Sequence, residues 1–425
     1  MTKRPKPYSY QPARAGKEMH CEQVALREIA RRAGTPTYVY SGTNIVSRYR
    51  ELDHALRGYP HRVCFAVKAN SNLGVLGLLA RAGAGFDILS AGELYRVLRA
   101  GGRAEKVVFS GVGKSAAEMD YAIEQGVRLF NCESESELRL LNERALKAGR
   151  KVLAGLRVNP QVDARTHPYI STGLRDHKFG IPVREAGQLY RDAQSLRGLR
   201  MESLSCHIGS QITELSAFAE ALTKVVDLAL RLRKQGCTVK HLDAGGGKAV
   251  AYSAAEQEPT FAAYAKTIMG CVRGSGLKLY VEPGRSLVAE AGVLLTRVLH
   301  VKTTGRKRFI IVDAAMNDLI RPALYGAHHD ISPVHVPDGV RRETVVADIV
   351  GPVCESADFL ARDCRLPLPE AGDLLAVETA GAYGFVMSSN YNARPRAAEA
   401  LVQGALWKVV RKREQLADLV RGESR

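Results

Sequence analysis

The chain has 425 residues, of which 46% are hydrophobic and 25% charged, which is typical of a globular protein with two or three domains. No apolar run reaches the roughly 18 residues that a membrane-spanning helix needs, and the basic N-terminus lacks the apolar core of a secretory signal. The formal net charge of +17 makes a nucleic-acid-binding protein an alternative, but the basic residues are dispersed, which favours a solvated surface and no nucleic-acid partner.

The first predicted element is a strand at residues 37–40, and from about residue 60 short apolar runs alternate with helical patterns. Strands are predicted at 63–67, 85–88, 107–109, 128–130, 152–158, 204–206, 240–243 and 278–281. Amphipathic segments lie between them, and several end in a glycine suited to a helix C-cap. Because strand–helix alternation indicates a parallel sheet, eight such units predict a (β/α)8 TIM-like barrel, with a doubly wound open sheet as the alternative.

After about residue 292 the pattern changes to strands with few helical stretches. Strands are predicted at 293–301, 309–312, 345–350 and 374–377, and residues 325–342 are predicted to be rich in loops. This part predicts a mostly-β domain, a Greek-key or sandwich-like barrel, which the strand at 37–40 joins. We therefore predict a (β/α)8 domain at 42–290 and a β domain made of 1–41 and 291–425.

Lys68 follows an apolar run at the end of the first predicted barrel strand. Burial disfavours an ammonium and lowers its pKa, and a neutral amine is a nucleophile that forms a Schiff base with an aldehyde. The alternative is a lysine whose ammonium reaches solvent from the strand edge.

Other polar and glycine residues follow the ends of predicted strands, where the active site of such a barrel lies. Gly245, Gly246 and Gly247 follow the seventh strand, and their exposed N–H groups suit a phosphate, although a tight turn is the alternative. The remaining residues at this end are Asp87, Ser90, Ser110, His207, Ser210, Glu282, Gly284 and Arg285. Together they predict a pocket for an aldehyde cofactor with a phosphate, in which a carboxylate keeps a pyridine nitrogen protonated.

Eight cysteines occur without a CxxC pair. This usage indicates free thiols in a reducing cytoplasm and no metal site.

The chain resembles the diaminopimelate decarboxylases, a family of fold-type III pyridoxal-phosphate enzymes, over nearly its whole length. The resemblance is carried by residues 38–40, 65–70, 85–87, 92–94, 167–173, 178–180, 206–211, 282–285, 354–356 and 381–384. The run 167–173 and the Cys-Glu-Ser triplet at 354–356 are specific within the superfamily, whereas the lysine, histidine and glycine motifs are shared with ornithine and arginine decarboxylases. In one departure, Lys248 and Ala249 stand where the family usually has an apolar residue and a glycine, which leaves a phosphate contact and a solvent-facing lysine both open.

The resemblance implies how the cofactor, pyridoxal 5'-phosphate, would be bound. Lys68 would form the Schiff base, His207 would stack on the ring, and Glu282 would bind the pyridine nitrogen. Asp87 and Tyr383 would also contact the cofactor. The phosphate would be held by Ser210, Gly245, Gly246, Gly247, Gly284 and Arg285.

The resemblance also implies a substrate site. Arg285, Arg321 and Tyr325 would bind substrate carboxylate, Glu355 would bind the distal ammonium, and Tyr383 would contact the substrate. The implied reaction is decarboxylation of meso-2,6-diaminopimelate to L-lysine and CO2, the last step of lysine biosynthesis. The alternatives are decarboxylation of another basic amino acid or of carboxynorspermidine, and a catalytically silent pyridoxal-phosphate-binding protein.

Cys354 would be a third catalytic residue beside Lys68 and His207, as the proton donor after CO2 leaves. In the family the Cys-Glu-Ser segment enters the active site of the partner subunit. The resemblance therefore implies a homodimer with active sites shared between subunits.

Overall fold

The computed structural model describes residues 7–163, 178–253, 255–340 and 342–424, so the motif at 167–173 lies outside the described residues. The chain divides into a barrel unit, Ser47–Val250 with Gln257–Leu287, and a β unit, Met1–Val46 with Ala251–Glu256 and Val288–Arg425. The return of Ala251–Glu256 to the β unit was not predicted, because this segment has no strand or helix pattern.

The chain begins with elements of the β unit: β1 (Tyr8–Ala13), β2 (Gly16–Cys21), β3 (Val24–Ala25), α1 (Leu26–Ala33) and β4 (Thr37–Ser41). β1 and β2 form an antiparallel hairpin. Gly16 has a φ of +127°, and a Cβ there would lie 2.1 Å from the carbonyl oxygen of Val336, so this position requires glycine. The hairpin of β1 and β2 was not predicted, because prolines and charged residues interrupt its apolar pattern.

The described residues of the barrel unit contain nine strands, eight of which close the barrel. They are β5 (His61–Ala66), β6 (Gly85–Ile88), β7 (Val107–Phe109), β8 (Leu129–Cys132), β9 (Val152–Asn159), the short β10 (Ile181–Pro182), β11 (Leu199–Ser205), β12 (His241–Asp243) and β13 (Lys278–Val281). The helices are α2 (Gly42–Ala55), α3 (Leu73–Arg81), α4 (Ala91–Arg99), α5 (Ala116–Gln125), α6 (Glu135–Lys147), α7 (Val183–Ala193), α8 (Leu215–Lys234), α9 (Phe261–Val272) and α10 (Arg285–Val288). The first residues of α2 belong to the β unit, and α10 ends at the first residue of the last segment of the β unit.

The sheet is parallel and closed, because β13 pairs with β5 and β8 pairs with β9. Closure confirms the TIM-like barrel and excludes the open doubly wound sheet. β6, β7 and β13 have the predicted bounds, whereas β11 begins at Leu199 rather than at 204. Polar Arg200, Glu202 and Ser203 interrupt its first half, which hid the strand in the sequence.

The barrel strands are buried almost throughout, as expected for parallel strands covered on both faces. One interior cluster consists of Cys64, Val108, Leu129, Leu153 and Tyr280, which come from different strands. The surrounding helices have defined starts. In α5, the Ser115 side chain accepts from the Glu118 N–H while the Glu118 carboxylate accepts from the Ser115 N–H.

The rest of the β unit comprises β14 (Gly292–Thr304), β15 (Lys307–Val312), α11 (Arg321–Tyr325), β16 (Ile331–Pro333), β17 (His335–Pro337), β18 (Thr344–Val350), β19 (Phe359–Pro367), β20 (Leu374–Val377), β21 (Ala398–Gln403), β22 (Leu406–Arg411) and α12 (Leu416–Leu419). The main sheet has the strand order β19-β18-β15-β14-β4-β21-β22, with β20 on β14. A smaller sheet contains β1, β2, β3 and β17.

β4 lies at the centre of the main sheet, antiparallel to β14 and parallel to β21. This pairing confirms that the strand predicted at 37–40 joins the β domain. The loop-rich prediction for 325–342 is partly wrong, because β16 pairs with β20 and β17 pairs with β2. Each of these strands is only three residues long and contains a proline, so neither produces a strand pattern in the sequence.

Within the described ranges, none of the helices combines the length and the apolar character that crossing a bilayer requires.

Asp318 is a buried acid of the β unit. Its Oδ2 accepts a hydrogen bond of 3.0 Å from the Ala315 N–H, and its carbonyl oxygen accepts one of 2.6 Å from the Tyr38 hydroxyl. Burial raises the pKa of Asp318 to about 7, against the opposing effects of the Ala315 N–H and of Arg394. The carboxyl therefore changes its charge close to neutral pH.

We expect Asp318→Asn to stabilise the protein at pH 8 but not at pH 4. The folded pKa lies above the unfolded one, so the folded protein holds an extra proton between about pH 4 and pH 7, and stability falls as pH rises through that window. Asparagine keeps an acceptor for the Ala315 N–H without this loss, which over a shift from 3.8 to about 7 corresponds to a gain on the order of 4 kcal/mol at pH 8. Urea unfolding at both pH values measures it, and parallel pH dependence in the two proteins would contradict a raised pKa.

Candidate active site

Lys68 lies on a short 3₁₀ turn, Val67–Ala69, directly after β5. The strand ends at Ala66 rather than at residue 67 as predicted, because the Asn70 N–H closes the turn on the Val67 carbonyl at 3.0 Å. The ammonium of Lys68 lies 3.3 Å from Oδ2 of Asp87, whose side chain is fully buried, while the Lys68 side chain is 33% exposed. The turn thus presents an amine at the carboxyl end of the barrel, with a carboxylate beside it.

Glu282 follows β13 and is buried among other acids. Its Oε1 accepts a hydrogen bond of 3.3 Å from the Ser110 hydroxyl. Burial raises the pKa of Glu282 well above its ordinary value, the charges of Asp243 and Asp87 raise it further, and Lys68 opposes them. Glu282 therefore holds a proton readily and can give it to a base that is buried against it.

His207 follows β11 and is half-buried. Its Nδ1 accepts a hydrogen bond of 3.2 Å from the Gly246 N–H, which places the proton of the neutral ring on Nε2. Desolvation lowers the pKa of His207 well below its ordinary value, and the charges of Lys68 and Arg157 lower it further. The ring is therefore neutral at physiological pH and presents a flat, uncharged face.

The loops after β11, β12 and β13 are hydrogen-bonded to one another. The Glu282 N–H donates to the Gly245 carbonyl at 2.7 Å, and the Ile212 N–H donates to the Gly247 carbonyl at 2.9 Å. Gly246 packs so closely that a Cβ would lie 2.2 Å from the Glu282 carbonyl oxygen. These glycines are therefore required for the contact between the loops.

Side chains and N–H groups suited to an anion lie on these same loops. The Arg285 guanidinium donates to the Ser210 hydroxyl at 3.0 Å. Gly247 has a φ of +113°, a backbone conformation that favours glycine. Gly284 packs on the Lys68 turn, because a Cβ there would lie 3.0 Å from the Ala69 Cβ. The structure thus brings together the residues predicted for the Schiff base and for the phosphate.

Three acids and amides of this region were not predicted as site residues. Asp243, the last residue of β12, is fully buried and accepts hydrogen bonds from Asn131 Nδ2 at 2.9 Å and from the Gly245 N–H at 3.0 Å. Glu93 accepts from the Leu89 N–H at 2.7 Å, and burial raises its pKa to about 7. The available signal for Asn131 was a polar residue within an otherwise apolar strand, whereas the strand of Asp243 also contains His241 and gives no such signal. Ser90, in contrast, is the N-cap of α4.

Apart from Arg285, the predicted substrate residues lie in the β unit. Arg321 and Tyr325 are the first and last residues of α11, and Arg321 is buried. Its guanidinium lies 2.8 Å from Nε2 of His329 and 4.5 Å from the centroid of the Tyr252 ring. Tyr383 has a φ of +56°, an uncommon conformation for a residue other than glycine and one that is often found at functional sites.

Cys354 and Glu355 lie in an exposed loop of the β unit. The Cys354 N–H donates to Asn392 Oδ1 at 2.9 Å, and the Tyr391 hydroxyl donates to Glu355 Oε2 at 3.2 Å. The Cys354 thiol is therefore accessible rather than buried.

Known proteins are similar to this chain along most of its length. Residues 43–289 match the family model described as "Pyridoxal-dependent decarboxylase, pyridoxal binding domain". A diaminopimelate decarboxylase of Pseudomonas aeruginosa is 55% identical over 417 residues, 98% of each chain.

The chain belongs to the diaminopimelate decarboxylase family.

Solved structures of this family have the same fold. The Helicobacter pylori diaminopimelate decarboxylase complexed with L-lysine has a TM-score of 0.89 at 41% identity and covers 93% of this chain and 98% of its own. The M. jannaschii diaminopimelate decarboxylase in co-complex with L-lysine has a TM-score of 0.91 at 36% identity and covers 98% of both chains.

The cofactor of this decarboxylase is pyridoxal phosphate, and the barrel residues fit it chemically. They provide an amine for the aldehyde, a protonated carboxyl for the pyridine nitrogen, a neutral ring for stacking, and donors for a phosphate. The glycines at 245–247 and Arg285 lie after the seventh and eighth strands of the barrel, which is the usual phosphate position in this fold, and Ser210 lies after the sixth.

We expect Gly246→Ala to abolish tight binding of pyridoxal phosphate. The added Cβ would lie 2.2 Å from a backbone oxygen, so the loops after β12 and β13 must separate. Turnover at limiting cofactor should fall on the order of 100-fold, as when reacting groups are displaced by about 1 Å. Gly270→Ala in α9 is the matched control, because a Cβ there meets no atom within 4 Å. Absorbance titration with the cofactor measures both variants, and equal affinities would contradict the close packing.

Proposed function

We propose that this protein removes one carboxylate from meso-2,6-diaminopimelate to give L-lysine and CO2, the last step of lysine biosynthesis. The observation that carries the proposal is the 55% identity over 98% of both chains to the Pseudomonas aeruginosa diaminopimelate decarboxylase. Relatives with the same fold bind L-lysine, the product of the proposed reaction.

In this proposal the barrel unit binds and orients the cofactor. Bound pyridoxal phosphate supplies an electron sink for the pair left behind when CO2 departs. Lys68 provides the amine that holds the aldehyde, and Asp87, 3.3 Å away, orients that amine. Glu282 would hold the pyridine nitrogen and supply its proton, and His207 would stack on the ring as a neutral imidazole.

The phosphate is held by loops that are already tied together. Ser210 and Arg285 provide side-chain donors, with a hydrogen bond of 3.0 Å between them. Gly245, Gly246, Gly247 and Gly284 allow backbone N–H groups to approach.

Residues of the β unit select the substrate in this proposal. Arg321 and Tyr325, together with Arg285 of the barrel, bind carboxylate, Glu355 binds the distal ammonium, and Tyr383 contacts both cofactor and substrate. Ornithine lacks a distal carboxylate, so it would leave a buried arginine without its anion, which costs affinity. Ornithine should therefore be a poor substrate.

Cys354 donates its Sγ proton to the carbon that loses CO2. We propose a homodimer in which the Cys-Glu-Ser segment of one subunit serves the cofactor of the other. The exposure of Cys354 and Glu355 supports a role toward a partner. The eight free cysteines support a cytoplasmic enzyme.

We expect purified protein with added pyridoxal phosphate to form L-lysine from meso-diaminopimelate and no putrescine from ornithine. Lys68→Ala should lose the visible absorbance of the lysine-bound cofactor and on the order of 1,000-fold or more in rate. Chromatography of the amine products measures both reactions. A cofactor-bound protein that forms no lysine would instead be a decarboxylase of another amino acid or a silent binding protein.

We expect Cys354→Ala to bind the cofactor normally and to lose about 100-fold in kcat, because a positioned acid contributes at least this much. Cys364→Ala, a half-buried cysteine of the same unit, is the matched control and should keep its rate. Steady-state kinetics with a parallel cofactor titration separates the two effects. Unchanged kcat in the Cys354 variant would remove this residue from proton transfer.

A further inference from the structure

Lys248 is buried, which excludes the solvent-facing alternative that the sequence left open. Its ammonium donates to the Ala249 carbonyl at 2.8 Å and lies 5.0 Å from the centroid of the Phe261 ring. The guanidinium of Arg48 lies 4.7 Å from the same centroid. One aromatic ring at the start of α9 thus contacts two cations.

Glu258 joins these two cations. Its Oε1 accepts from both terminal nitrogens of Arg48 at 3.2 Å, and its Oε2 lies 3.7 Å from the Lys248 ammonium. The side chains of Arg48 and Lys248 are only 2% and 3% exposed, so water screens these pairs weakly. A buried ammonium is costly without such partners, which means that the cluster fixes Lys248 in one position.

The cluster of Arg48, Lys248, Glu258 and Phe261 is attached to the predicted phosphate loops. Lys248 directly follows Gly247, and its backbone pairs with Ile212 in the loop that carries Ser210. Nε of Arg48 donates to the carbonyl of Ser286 at 2.9 Å, and Ser286 directly follows Arg285. Through its two cations the cluster therefore connects the loops after β11, β12 and β13 behind their phosphate donors.

We propose that Lys248 is a positioning residue for the phosphate of the cofactor, holding Gly245, Gly246 and Gly247 in register with Arg285 through Glu258 and Arg48. The inference rests on the proposed function, because it assigns these loops to the phosphate. Lys248 lies at the phosphate end of the site, directly after Gly247, whereas Lys68 lies on the turn after β5. An apolar residue at this position would fill the space without the connection to Glu258.

The test compares pyridoxal phosphate with pyridoxal, which has the same aldehyde and ring but no phosphate. The affinity of each for cofactor-free full-length protein is measured by absorbance titration in the wild type and in Lys248→Met. We expect the variant to bind pyridoxal as the wild type does and pyridoxal phosphate about 10-fold more weakly. This is the lower end of the loss in affinity expected when a residue that orients ligating groups is removed. Lys248→Arg should restore most of the preference.

Lys114→Met is the matched control, because Lys114 is also a buried lysine of the barrel unit, 2.6 Å from Glu137. Its loss should lower the unfolding temperature without changing the ratio of the two affinities. Lys248→Gln, which keeps a donor for the Ala249 carbonyl, supplies the same measurement if the methionine variant does not fold.

An unchanged ratio in Lys248→Met, or an equal loss of both ligands, would overturn the inference and leave Lys248 with a packing role. Failure of the wild type to bind either aldehyde would instead contradict the proposed function.

Discussion

The site depends on the backbone contact between Gly246 and Glu282. The Glu282 N–H donates to the Gly245 carbonyl at 2.7 Å, and Gly246 lies so close to the Glu282 carbonyl that no side chain fits between them. This contact fixes the distance between a carboxyl group after one strand and a glycine loop after its neighbour. In the proposed function Glu282 would bind the pyridine nitrogen and the glycine loop would bind the phosphate, so the parallel pairing of β12 with β13 would set the distance between these two ends of the cofactor.

Burial gives the groups around this contact their protonation states. The same low-polarity surroundings raise the pKa of Glu282 and lower that of His207, so both groups favour their neutral forms. The Lys68 ammonium opposes the raised pKa of Glu282, because it stabilises a carboxylate. It lowers the pKa of His207 further, because it destabilises an imidazolium. The site therefore combines an acid that holds a proton with a ring that is neutral. This combination suits the binding of a pyridine base.

The sequence indicated candidate site residues where a side chain suited to the chemistry directly follows a predicted strand. Lys68, His207 and Glu282 each follow an apolar run, and the barrel places all three at one end. The burial of Lys248 could not be predicted, because it depends on Arg48, which is 210 residues from Glu258 in the chain. β19 was missed because charged residues interrupt its apolar pattern, and β22 was missed because Lys408 separates two short apolar pairs.

The barrel unit and the β unit contain different groups of predicted site residues. The family model covers residues 43–289, and its cofactor motifs are shared by decarboxylases of several amino acids. Arg321, Tyr325, Cys354 and Glu355, which would choose the substrate and protonate the product, all lie outside that match. Identity to the curated relative extends through this region as well, since it covers 98% of the chain. In the proposed function the barrel would supply the cofactor chemistry, whereas the choice of diaminopimelate over ornithine would depend on residues of the β unit, where buried Arg321 would favour a substrate with a second carboxylate.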